Sequence, residues 1–165
     1  MTLIYEEEVD VDFDFDTNSL AKEVINKAIE LEDFPYEAQV SLTITDNDGI
    51  QEINKEFREI DAPTDVLSFP LIEFDFPANF DIIGGSDCYT DMDSGEVVLG
   101  DIVLNIDRIK SQATEYNHSI RREYAFLIAH SMMHLFGYDH MTDEEEKIMF
   151  EKQEMVLSSL GITRN

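Results

Sequence analysis

Three of the four histidines in this chain fall in residues 130–140, as His130, His134 and His140. His130 and His134 are four apart, so on a helix both imidazoles leave one face, one turn above the other. Gly137 follows, the residue type that takes a left-handed backbone freely and can end the helix there. The chain can then fold back and present His140 to the first two. Three neutral imidazoles around one point leave a fourth position open, the pattern of a catalytic zinc and not of a closed structural one. Nickel or copper would also accept three imidazoles, so the metal itself is favoured but not fixed. Packed core histidines would explain one or two imidazoles on an apolar helix; three, with a glycine at the turn, favour a metal.

The helix that must hold them runs from about Ile120 to Phe136, with Ser119 as its N-cap. After Glu123 it is apolar nearly all round, through Tyr124, Ala125, Phe126, Leu127, Ile128 and Ala129 to Met132, Met133 and Leu135. Such a helix is buried and central, so its histidines are held rigidly. Met132 and Met133 read as packing rather than as ligands. Thr142-Asp143-Glu144-Glu145 is a capping box that opens a last helix, ended by Gly161 after about Leu160.

Upstream, residues 8–16 alternate between acidic and apolar types, which predicts a half-buried strand near a sheet edge. A cation-binding acidic tail is the alternative. Thr17, Asn18 and Ser19 offer N-caps for a helix with Leu20, Val24, Ile25, Ala28, Ile29 and Leu31 inside, broken by Pro35. Residues 38–45 predict a second strand. Asp46 and Asn47 turn it into a helix through about Phe57, which Arg58 ends. A basic residue there can simply complement the helix dipole. Residues 63–70, bracketed by Pro63 and Pro70, suit a short strand. Residues 71–95, with Pro77, Gly84, Gly85 and Gly95, read as a long mobile loop, a lid or an insertion. Residues 96–105 predict a strand covered on both faces, followed by a helix over about 106–116 that Asn117-His118-Ser119 breaks.

The length of 165 residues fits one domain, and no internal repeat divides it. No apolar run approaches the ~20 residues of a membrane span. The N-terminus lacks a basic region and an apolar signal core, and Cys88 is the single cysteine. A cytoplasmic protein without a disulfide framework is expected. The net charge of −26, with a pI near 4.1, argues by itself against a polyanionic partner. Six of the eleven basic residues lie at Lys55, Arg58, Arg108, Lys110, Arg121 and Arg122, so a local positive patch around a dication can coexist with a negative global field.

Several blocks together resemble the YbeY family of metallo-endoribonucleases. They are His130-x3-His134-x5-His140 with Gly137-Tyr138-Asp139-His140, the preceding His118-Ser119 and Arg122-Glu123, Arg58, Pro63 to Phe69, and Leu99-Gly100-Asp101-Ile102. The resemblance covers about residues 40–160. It implies a single compact α+β domain with a mixed four-stranded sheet packed against several helices. It further implies one zinc on the three histidines, an active-site role for Arg58, and single-stranded rRNA as substrate. Cytoplasmic maturation of the 16S rRNA 3′ end, ribosome quality control and contacts with the ribosome or its proteins follow from the same likeness. Ser131 stands where the family usually has glycine, and the acidic N-terminus matches no family block. Asp139 is open between orienting a ligand histidine and capping the turn. His118 is open between donating a proton and a structural role, with the structural one favoured. Two rival functions remain. The spacing of His130, His134, Gly137 and His140 is also that of metzincin proteases, but Ser131 replaces their general-base glutamate. A ribosome-associated binding protein with a structural metal is the other, suited by the acidic surface.

Overall fold

A computed structural model describes residues 1–84 and 87–163; Gly85, one of the predicted loop glycines, lies outside them. The sheet has the order β1 (Thr2–Glu7), β2 (Ala38–Thr45), β4 (Val97–Asn105), β3 (Val66–Pro70). β1 pairs parallel with β2 and β2 parallel with β4, while β3 runs antiparallel to β4. The sheet is therefore mixed and four-stranded, as the family resemblance implied.

Period-two burial sorts its faces. Val40, Leu42 and Ile44 of β2 and Leu99, Ile102 and Leu104 of β4 point into the main core. That core is closed by α1 (Thr17–Leu31), α3 (Ile106–Glu115), α4 (Ile120–Leu135) and α5 (Asp143–Ser159). On the other face α2 (Asn47–Arg58) lays Ile50 and Ile53 over Leu67, Phe69 and Val103. β4 is thus covered on both faces only in part, since Asp101 is exposed. Gly100 sits at a register shift between β2 and β4 with φ +149°, where a Cβ would lie 2.3 Å from the Phe69 carbonyl oxygen. A bulge of this kind needs glycine.

Two expectations for irregular segments need correction. Of the run at 8–16, expected to pair only in part, Glu8 alone bonds to the sheet, donating N–H to Ile44 O at 2.9 Å, and the first strand is Thr2–Glu7. Val9, Val11, Phe13 and Phe15 still pack on the core while the intervening acids face solvent, so the alternation marks faces without a ladder. The cap that starts α1 is Asp16, which accepts from Ser19 N at 3.0 Å. The 71–95 segment is anchored rather than loose over its described residues. Ile72 and Ile83 are buried, Phe80 packs edge-on against Phe34, Phe74 and Phe136, and Ala78 N donates to Phe136 O. A 3-10 turn spans Phe80–Ile83. No helix among the described residues is long and apolar enough to cross a membrane.

α4 is the predicted central helix, buried from Arg122 to Leu135 apart from Phe126, His130 and His134. Ser119 caps it, accepting from Arg122 N at 3.0 Å. Arg122 is itself interior: it pairs with Glu154 at 2.7 Å and donates to the Ile162 carbonyl, holding the segment that follows α5.

Candidate metal centre

The three histidines do converge. One ring nitrogen from each lies within 4.8 Å of the other two, and the ring centroids are 4.7–5.6 Å apart. His130 and His134 come from the last turns of α4, half-buried; His140 is exposed.

The turn that delivers His140 is a Schellman motif. Gly137, with φ +96°, donates N–H to His134 O, and Tyr138 N–H donates to Met133 O. The reversal also feeds back on the site. The Tyr138 carbonyl lies 3.1 Å from His134 Nδ1 and accepts its proton, which leaves Nε2 of that ring as the free donor. Tyr138 is held in turn by its hydroxyl on Glu32, 2.8 Å away, and Glu32 also pairs with Lys152 of α5. Asp139 accepts from the His140 backbone N–H at 2.8 Å, the geometry of a turn cap, and its charge also acts on His134.

Gln153 of α5, only 3 % exposed, places its amide 2.7 Å from His130 Nδ1. The sequence reading missed this residue. Its signal was a glutamine four residues after Met149, inside the apolar stripe of an amphipathic helix.

Burial and the neighbouring imidazoles of His134 and His140 push His130 down to about 4, and burial lowers His134 as well. Both rings are neutral at pH 7, the form that donates a lone pair. Three imidazoles, with Nδ1 of two rings engaged elsewhere, fit a borderline cation such as zinc.

A cleft of about 470 Å³ opens on the histidines and is walled by Arg58, Thr64, Asp65 and Ser68. Of the six clustered basic residues, Arg58 alone lines it. Lys110 instead pairs with Asp12 and Arg122 is interior, so the positive patch is reduced to one guanidinium. Asn54, a buried residue one turn earlier, accepts from Arg58 Nη1 at 3.3 Å and donates to the Ala62 carbonyl. It aims the arginine and fixes the loop toward β3.

Ser131, where a metzincin would carry its glutamate, is fully buried with its Oγ 2.7 Å from Ser68 Oγ. This contact ties α4 to β3 and leaves a hydroxyl, not a carboxylate, at the general-base position. His118 does not line the cleft. Its Nε2 lies 2.6 Å from Glu123, and the other Glu123 oxygen accepts from Gln112, which also reaches Asp65. Both side chains are buried, an arrangement that suits a structural part for His118.

Fold and site together define an α+β protein with a tri-histidine group, open to a cleft, that can hold a metal ion. The Endoribonuclease YbeY family model matches residues 3–161. Endoribonuclease YbeY of Agathobacter rectalis is 51% identical over 165 residues, covering 99% of this chain and 100% of that protein. The Lachnoclostridium phytofermentans protein of the same name is 50% identical over 166 residues, with coverage of 99% and 100%. The solution structure of TM1509 from Thermotoga maritima matches at a TM-score of 0.58 and 26% identity, covering 94% of this chain and 87% of that one. The chain belongs to the Endoribonuclease YbeY family.

Proposed function

We propose that this protein is a zinc-dependent endoribonuclease that cuts single-stranded RNA, acting in the cytoplasm on the 16S rRNA 3′ end and in ribosome quality control. The observation that carries the reading is that Arg58 and the three histidines wall one cleft. The names borne by the relatives point the same way. A zinc ion on His130, His134 and His140 would supply Lewis acidity toward water and toward a phosphoryl oxygen.

The protein's own groups do the rest. Arg58, held by Asn54, offers paired N–H donors to the scissile phosphate and offsets the charge that grows on its oxygens. The Tyr138 carbonyl and the Gln153 amide keep two ligand rings in place. Ser68 and Ser131 hold the cleft wall against α4. The protease reading has no support from this wall, because the general-base position is a buried serine.

The test is cleavage of a labelled single-stranded RNA by metal-analysed protein, beside His130→Ala and Arg58→Ala. Cutting by wild type and by neither variant is the expected result. Zinc-loaded wild type that leaves the RNA whole would instead favour the ribosome-associated binding protein, a reading that the −26 net charge suits through basic ribosomal proteins. Accumulation of 3′-extended 16S rRNA on depletion of the protein tests the rRNA assignment separately.

A further inference from the structure

His130 and His140 wall a second cleft, on the side of the metal group toward α5. Its volume is about 530 Å³, enough for a nucleotide-sized ligand. Its chemistry differs from that of the Arg58 cleft. Phe126, Met149 and Phe150 make it apolar, with Asp143, Glu146 and Lys147 among the lining residues. Phe150 is 46 % exposed although it lies on a helix with a buried stripe beside it.

We infer that this cleft is a nucleobase subsite for the nucleotide adjoining the scissile phosphate; the inference rests on the endoribonuclease reading. A phosphate on Arg58, with the reacting centre at the histidines, leaves the neighbouring base to continue past His130 and His140 into the second cleft. Single-stranded RNA is gripped there by stacking on aromatic rings, which every base offers a face to. The two carboxylates accept N–H from a base edge, and Lys147 beside them can donate to a base carbonyl. The carboxylates favour a base with an exocyclic amino group over uracil. The subsite also eases the charge problem, since affinity gained by stacking does not need a basic surface.

The test walks a single abasic nucleotide across the cleavage site of one RNA, with zinc-loaded wild type, Phe150→Ala and Phe150→Tyr. Wild type should show one position beside the cut where the abasic residue lowers kcat/KM by about tenfold, the scale of one base stack. Phe150→Ala should flatten that dip with its zinc content unchanged, and Phe150→Tyr should keep it. Placed at the same position, 2-aminopurine should change its fluorescence on binding wild type and not Phe150→Ala, a readout that needs no turnover. Asp143→Asn with Glu146→Gln should erase the preference for amino-bearing bases. A flat walk in an active wild type, or a dip that Phe150→Ala leaves untouched, overturns the subsite alone. Zinc-loaded wild type that cuts no RNA removes the subsite and the function reading together.

Discussion

The side-chain amide of Gln153 lies 2.7 Å from Nδ1 of His130, so the last helix reaches the metal group through a buried hydrogen bond. An amide can meet a ring nitrogen in either proton state, by its N–H₂ or, turned over, by its oxygen. With His130 Nε2 given to a metal, Nδ1 carries the proton and the amide oxygen accepts it. Gln153→Leu should lower zinc affinity about 10–100-fold, the usual cost of losing a ligand's supporting partner. Competition with a chromophoric chelator measures it. An unchanged affinity would show that packing alone orients the ring.

Arg58 is exposed and lies outside the core, so its loss should spare the fold. Arg58→Ala should cut kcat on RNA by on the order of 10²–10³, as for removal of one transition-state donor, with zinc content at wild-type level. Arg58→Lys keeps the charge but not the planar fork, and should recover only part of the rate. A lysine variant at full activity would reduce the arginine's part to simple charge.

Gly100 carries a strict backbone requirement. Gly100→Ala would drive a Cβ to 2.3 Å from the Phe69 carbonyl and 2.8 Å from Leu135 Cδ2, at φ +149°. Strain and overpacking together should cost about 2–5 kcal/mol. Urea unfolding gives the number. A loss below that range would mean that β3 can move away from β4 at its end.

The Asp16 cap sets an acid limit on α1. Hydrogen bonds from the Ser19 backbone, then from its hydroxyl, hold the Asp16 carboxyl below its ordinary 3.8. A depressed folded value means that the cap contributes fully above 3.8 and is lost as pH falls through the folded value. Asp16→Asn keeps an acceptor without the titration. Wild type should therefore lose stability relative to Asp16→Asn below about pH 4. Dilute urea unfolding from pH 6 to pH 3 follows the difference, and parallel curves would mean that the carboxylate charge is not used.

The sequence by itself determined the tri-histidine group and most of the elements, because those signals are local. Histidines at i and i+4, followed by Gly137, reach one point through helix geometry and a turn that only a few residues can make. Ser119, Asp46 and Thr142 announce helix starts for the same reason, each bonding a backbone N–H three residues on. What lay beyond reach depends on which distant segments meet. The 8–16 alternation has the period of a strand, yet the parallel partner beside β2 is Thr2–Glu7. Period two reports which side is wet and carries no record of a ladder. Gln153 and Asn54 are buried polar residues on their helices. Only packing brings one onto His130, 23 residues away in sequence, and lets the other join Arg58 to the Ala62 loop. The basic cluster dispersed because charge in sequence does not say whether a side chain ends in solvent, in a pair with Asp12, or inside the core beside Glu154. Hydrogen-bond partners across the fold are chosen by tertiary proximity, and that is the part no spacing rule contains.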